Sequence, residues 1–254
     1  MDVSGKVAIV TGASSGVGAQ VAAKLAQLGA SVVVNYANSL DGAQQTASAI
    51  EQAGGRAVIC RADVSDQQQC QALVQTAVDT FGRLDILVNN AGTTTYVQHS
   101  ELELLSDEIW QSTLGTNLMG PFYMTRAALP ELRRQGGGEV VMTSSIAATT
   151  TYGSSMAYCA SKAALNSMTR CLAKALGEHH VRVNAICPGL IDGSWAREGW
   201  GEAWEDAKAM VTEQAPLSAV ATPADIADSI VSVITGTDLM TGQLITVDAG
   251  FTLA

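Results

Sequence analysis

Tyr158 and Lys162 stand four residues apart in the run Tyr158-Cys159-Ala160-Ser161-Lys162. In a helix that spacing stacks both side chains on one face, one turn apart. A phenol is a weak acid, with a reference pKa of about 10. A neighbouring ammonium favours the phenolate and draws that value down. The pair therefore reads as a proton donor or acceptor tuned for work near neutral pH. For the two residues alone, the alternative is a surface tyrosine above a solvated lysine. A second run bears on that choice. Val7-Ala8-Ile9-Val10 is followed by Thr11-Gly12-Ala13-Ser14-Ser15-Gly16-Val17-Gly18 and then by an Ala-rich helix to about Leu28. Strand, glycine-rich turn and helix together present backbone N–H groups and a helix N-terminus to a phosphate. Gly12 suits the tight turn, Gly16 the backbone's approach to a ligand, and Gly18 close packing of helix on strand.

The elements that must position these residues alternate along the chain. Short β-like runs fall near residues 6–10, 31–35, 57–61, 84–88, 139–143, 182–186 and 244–247. Helical segments fall near 16–28, 40–53, 67–81, 107–134, 155–178 and 222–235. This alternation predicts an α/β fold, a single-domain doubly wound parallel sheet of about seven strands with helices on both faces. At 254 residues and 47% apolar composition, one sizeable core is available. In such sheets ligands bind beyond the carboxyl ends of the strands. Residues 11–18, 35–39, 62–64, 89–95, 143–152 and 187–194 all follow expected strands and converge on that edge.

The formal charge of −10 argues against nucleic acid or an anionic membrane as partner. No apolar run is long enough for a membrane span, and Met1-Asp2-Val3-Ser4 does not open a signal peptide. The five cysteines are scattered without metal-ligand spacing, which predicts buried thiols, no metal and a cytoplasmic location.

Six elements in order resemble the short-chain dehydrogenase/reductase family over nearly the whole chain. They are the TGxxxGxG run at 11–18, Asn89-Asn90-Ala91-Gly92, Asn117, Ser145, the Tyr158/Lys162 pair, and Pro188-Gly189. The resemblance implies a Rossmann-like fold and hydride transfer between a nicotinamide and a carbonyl or secondary alcohol. It implies that Tyr158 moves the proton and that Lys162 lowers the phenol's pKa and holds the nicotinamide ribose. Ser145, thirteen residues before the tyrosine, would bond the substrate oxygen; Ser144 is its rival. Asn117 would position a water in a relay to Lys162, or else bond the helix backbone.

By the same resemblance Gly12, Gly16, Val17 and Gly18 line the pyrophosphate. Asp63, with Val64 beside it, meets the adenine, unless Asp63 only caps its loop. Asn90, Ala91 and Gly92 pass under the adenosine ribose, and Asn89 is structural. Pro188, Gly189 and Ile191 meet the nicotinamide carboxamide. The family often places a threonine four residues after that glycine, where this chain has Gly193 and then Ser194. Either Ser194 substitutes or the contact is lost.

An acid after the second strand would bond the ribose 2′-OH and repel a 2′-phosphate. This chain has Asn35-Tyr36-Ala37-Asn38-Ser39 there, with no acid before Asp41. With Ser14 and Ser15, these groups could bond a phosphate, although neither segment carries Arg or Lys. The segment also resembles NADPH-using carbonyl reductases of the family. NADP(H) is therefore the expected cofactor, with NAD(H) the alternative.

Gly12-Ala13-Ser14-Ser15-Gly16 also fits the nucleophile elbow of a serine esterase using Ser14. A non-catalytic NADP-binding regulator is the other rival, and an intact Asn117, Ser145, Tyr158 and Lys162 argue against it. His179-His180 reads as a cationic helix end.

The family places a mobile substrate lid where this chain has residues 192–215. Trp195, Trp200 and Trp204 lie there, three of the four tryptophans. Trp200 and Trp204 read as one turn apart on one helix face, contacting either substrate or the protein body. Tyr96 and Tyr152 could line the same pocket, which favours a bulky apolar or aromatic carbonyl compound. Helices 107–134 and 155–178 carry Trp110, Leu114, Leu118, Phe122, Met168 and Leu172 at near-helical spacings. In the family these helices form a four-helix bundle between subunits, and a second contact through the last helix and strand completes a tetramer. A homotetramer is therefore expected.

Overall fold

A computed structural model describes residues 1–253. Among these residues seven strands form one parallel sheet: β1(Val7–Val10), β2(Ser31–Tyr36), β3(Arg56–Arg61), β4(Ile86–Asn89), β5(Gly138–Thr143), β6(Val181–Pro188) and β7(Leu244–Val247). The connecting helices are α1(Gly16–Gln27), α2(Leu40–Gln52), α3(Gln67–Phe81), α4(Asp107–Leu114), α5(Gly120–Arg134), α6(Met156–Leu176), α7(Ser194–Trp200), α8(Trp204–Gln214) and α9(Pro223–Thr235). The spatial order is β3-β2-β1-β4-β5-β6-β7. It reverses between β1 and β4, the place where such sheets open a crevice.

The strands are short apolar runs because both faces of the sheet are covered. Every residue of β1, β2, β4 and β6 is buried. Along β1 the side chains alternate between two cores. Ala8 and Val10 join Val21, Leu25, Ile226 and Ile230 under α1 and α9. Val7 and Ile9 join Leu73, Leu132 and Leu165 under α3, α5 and α6.

The expected helix at 107–134 is interrupted. Gly115–Met119 forms a π-helical turn between α4 and α5. Such turns add a residue to the helix and re-aim its side chains. The expected helix at 155–178 holds as α6, followed by a 3₁₀ turn at Gly177–His179. His180 there takes a positive φ of 55°, and His179 contacts Arg133.

At the amino ends of the strands, away from the motif loops, Glu139 and Arg182 are register partners on β5 and β6. Both are buried, with 2.6 Å between the Arg182 guanidinium and Glu139 Oε2. Arg182 also donates to the carbonyls of Met240, Val233 and Ile234. Breaking a buried pair strands the remaining charge. Arg182→Met should therefore lower the urea-unfolding free energy by about 3–5 kcal/mol. The double variant Glu139→Leu/Arg182→Met should recover most of that loss. A single variant within about 1 kcal/mol of the parent would contradict this reading.

Candidate active site

Beyond the carboxyl ends of the strands lies one continuous cavity of about 1410 Å³. The glycine-rich turn lines one end and Ser145, Tyr158 and Lys162 line the other.

The turn is held by tight backbone approach. Gly12 has φ +61°, and a Cβ there would lie 2.9 Å from the Ala91 Cα. At Gly18 a Cβ would lie 2.4 Å from the Gly12 carbonyl oxygen and 2.5 Å from the Asn90 amide nitrogen. Helix α1 can enter this turn only because Gly18 carries no side chain. The Thr11 hydroxyl accepts from the backbone N–H of both Asn90 and Ala91, at 2.9 and 3.0 Å. Asn90 donates its amide back to the Thr11 and Gly12 carbonyls. Ser39, Asp66, Ser155 and Thr222 cap other helices with their side chains, but Ser15 makes no cap bond on α1. The first-turn N–H groups of α1 are left for an anion at a cavity wall formed by Ser14, Ser15, Gly16 and Val17. A dinucleotide pyrophosphate fits this cradle.

Helix α6 begins with Ser155, whose hydroxyl accepts from the Tyr158 backbone N–H at 3.2 Å. This fixes the first turn, and with it the phenol. The Ser145 hydroxyl accepts from the Ala147 N–H at 3.1 Å and lies on the same cavity wall as the phenol. Ser144 points inward and donates to the Lys162 carbonyl. Lys162 is 4% exposed; its Nζ donates to the Thr143 carbonyl at 2.7 Å and lies 5.5 Å from the centre of the Tyr158 ring. Burial pushes the Tyr158 phenol up to about 12, opposed by the neighbouring Ser145 hydroxyl. Burial pulls the Lys162 ammonium down to about 8. The expected lowering of the phenol by Lys162 is therefore not found: both groups are taken out of water and each favours its neutral form.

Asn117 sits in the π-helical turn and is fully buried. Its Oδ1 accepts from the Thr93 N–H at 2.8 Å. Its Nδ2 donates to the Thr93 carbonyl and to the Ser161 hydroxyl, at 2.9 and 3.1 Å. The side chain thus locks the segment after β4 onto α6, and it does not line the cavity. A Cβ on Gly92 would sit 3.5 Å from Asn117 Oδ1 and 3.9 Å from Lys162 Nζ, ordinary contact distances that place this segment beside both side chains.

The chain matches the profile of the family "short chain dehydrogenase" over residues 6–203. It belongs to the short-chain dehydrogenase/reductase family. It is 41% identical over 244 residues to "granaticin polyketide synthase putative ketoacyl reductase 2" of Streptomyces violaceoruber, covering 96% of this chain and 95% of that protein. An L-rhamnose 1-dehydrogenase (NAD(P)(+)) of Sphingomonas sp. is 36% identical over 97% of this chain and 96% of its own. The crystal structure of "a putative short-chain dehydrogenase/reductase from Burkholderia xenovorans" superposes with TM-score 0.90 at 34% identity, covering 98% of each chain. The protein is thus an oxidoreductase of hydride transfer using a nicotinamide cofactor.

Within this short-chain dehydrogenase/reductase, Asn35, Ala37, Asn38, Ser39, Asp63, Val64, Asn90, Ala91, Gly92, Pro188, Gly189 and Ile191 all line the cavity. Asn35 is also a brace: it accepts from the Gly12 N–H and donates to the Cys60 and Ala62 carbonyls. Asp63 Oδ1 is bound by the Ser65 N–H and hydroxyl. Asn89 donates to Thr125 and Met142 in the sheet centre.

Two expectations for the cofactor wall need correction. Gly18 lies behind the wall rather than on it, because its neighbours Gly12 and Asn90 fill the space in front. Tyr36 is 8% exposed and joins the core beneath α1 and α2, because the last position of β2 turns its side chain inward. Arg61, which the sequence did not single out, lies beside this wall without lining the cavity. The parallel register places Arg61 beside Tyr36, and its Nε donates to the Ala37 carbonyl at 3.2 Å.

The far end of the cavity is aromatic. Tyr96, Tyr152, Trp195 and Trp200 line it, and Ser194 begins α7 beside them. The Trp195 ring meets Tyr158 edge to face, 6.2 Å between centroids. Tyr152 meets Phe251, a wall residue from the chain's far end that no local pattern marks. Trp200 and Trp204 do not share a helix face. A 3₁₀ turn at Gly201–Ala203, with Gly201 at φ +55°, separates α7 from α8. Trp204 is 4% exposed under the Arg197 guanidinium and faces the protein body. Asp192 fastens this segment: it accepts from Lys208 on α8 and Arg197 on α7, which together hold its carboxyl below the ordinary range.

With Tyr158 protonated throughout the neutral range, reduction needs no ionisation of the phenol, whereas Lys162 loses its proton near 8. The kcat/KM for carbonyl reduction should be flat below that pH and fall as pH rises through it. Alcohol oxidation should instead rise with pH. Reduction that accelerates from pH 7 to 9 would contradict the assignment.

Proposed function

We propose that this enzyme reduces a bulky, uncharged apolar or aromatic ketone with NADPH. The observation that carries the reading is the Ser145–Tyr158–Lys162 constellation, set between an aromatic wall and a phosphate cradle in one cavity. When bound, the nicotinamide supplies the hydride. Tyr158 gives its proton to the carbonyl oxygen as charge builds there. Ser145 donates to the same oxygen and stabilises that charge. Lys162 keeps two N–H groups beyond its bond to Thr143, which suit the ribose hydroxyls and replenishment of the phenol's proton. Asn117 acts as a positioning residue through Thr93 and Ser161.

The substrate class rests on Tyr96, Tyr152, Trp195 and Trp200, with Glu101 and Glu198 on the wall disfavouring an anion. Residues 192–215 serve as the lid. The NADP(H) preference rests on the turn after β2, which offers Asn38 and Ser39 and no acid to the cavity, beside Ser14 and Ser15 of the glycine-rich turn.

Tyr158→Phe should cut turnover by about 10²–10⁴-fold while cofactor binding stays near the parent value. Lys162→Ala should weaken both. A Phe variant keeping more than about a tenth of the rate would overturn the role of Tyr158.

We also infer a homotetramer. Trp110, Leu114, Leu118, Phe122, Met168 and Leu172 are only half-buried on α4, the π turn, α5 and α6, and β7 forms an open sheet edge. A self-complementary two-fold contact would cover such faces. Light scattering at micromolar concentration should give four times the 26.3 kDa chain mass. A single monomer mass would contradict it.

A further inference from the structure

We propose that Arg61, at the end of β3, is the residue that reads the 2′-phosphate of the cofactor. The proposal rests on the NADP(H) reading above and supplies the cation that the turn after β2 and the glycine-rich turn both lack. Arg61 is exposed, and Nε holds it to the Ala37 carbonyl. Ala37, Asn38 and Ser39 form the adjoining cavity wall. A guanidinium has five N–H donors in a planar fork, and the bond to Ala37 uses one. The two terminal nitrogens remain for an anion. None of the ion pairs among the described residues involves Arg61.

The surroundings suit a phosphate. A Cβ on Gly42 would lie 2.5 Å from the Ser14 carbonyl oxygen and 3.3 Å from the Ser14 Cβ, so the first turn of α2 abuts the glycine-rich turn. This gathers the hydroxyls of Ser14 and Ser15 and the amide of Asn38 on the wall next to Ala37. Asp63, the carboxylate on that wall nearest in sequence, has one oxygen turned to Ser65. A phosphate monoester carries about −1.5 to −2 charges at neutral pH, and a planar guanidinium meets it with two parallel bonds. The ribose hydroxyl of NAD(H) offers no such charge. Arg61 therefore separates the two cofactors rather than binding both.

Calorimetric titration of the full-length protein with NADPH and with NADH tests this without relying on turnover. The parent should bind NADPH more tightly. Arg61→Gln should weaken NADPH about 10–100-fold, the range for losing a charge-assisted bond, and leave NADH within about twofold. Arg61→Lys, which keeps the charge but not the fork, should recover part of the loss. If Arg61→Gln keeps the parent's NADPH preference, Arg61 is not the reader, although the NADP(H) reading stands. If both cofactors weaken alike in Arg61→Gln, Arg61 only props the β2–α2 turn and the proposal fails. If the parent shows no preference for NADPH, the NADP(H) reading fails and this proposal with it.

Discussion

Lys162 is a cation held in the protein interior with no carboxylate beside it. It is 4% exposed, and its ammonium bonds one backbone carbonyl, that of Thr143 at the end of β5. A buried charge without a partner is costly, and the usual outcome is a shifted pKa. The rest of the site depends on carrying that cost. Helix α6 must lie where its second turn reaches Thr143, so its start is capped by Ser155 and tied across by Ser161 to Asn117. Asn117 in turn needs the π turn between α4 and α5 to face Thr93. A lysine there gains nothing for stability; it fits a site where a proton must move.

The same economy governs the other end of the cavity. Two close approaches, of Gly12 to Ala91 and of Gly18 to Gly12 and Asn90, bring the turn after β1 against the segment after β4 at the point where the strand order reverses. Thr11 and Asn90 close it with hydrogen bonds in both directions. The uncapped start of α1 then faces the cavity, where a pyrophosphate can take its N–H groups. One sheet edge thus holds a cradle that fits a phosphate and a buried phenol in the same cavity, and side chains from distant parts of the chain complete the wall between them.

Much of this was legible in the sequence because it depends on local spacing. The strand–glycine turn–helix pattern, the Tyr158/Lys162 interval and the alternation of elements are local, and each lies within a residue or two of its expected place. What was not legible depends on three-dimensional neighbours. The inward turn of Tyr36 is set by the end of β2 and the core beneath it. A helix written without a break at 107–134 hides the π turn, since Gly115 and Gly120 read as ordinary helix positions. Trp200 and Trp204 fit helical spacing, but Gly201 at positive φ splits them, and one goes to the cavity and the other to the body. Arg61 and Phe251 reach their places from other strands and from the chain's far end. The direction of the pKa shifts was also hidden, because spacing reveals the neighbouring ammonium and not the desolvation that sets both shifts.

On the proposed reading, the phenol of Tyr158 and a hydride donor meet at one carbonyl group, the hydride at its carbon and the proton at its oxygen. Its most direct test is the fate of the hydride. The protein would be incubated with NADPH deuterated on either face of the nicotinamide C4 and a panel of aryl and bulky alkyl ketones, and the alcohols analysed by mass spectrometry and NMR. Deuterium at the carbinol carbon from one face only, with the hydroxyl proton drawn from solvent, is the expected result. Cofactor binding without deuterium in any alcohol, or label arriving equally from both faces, would contradict it.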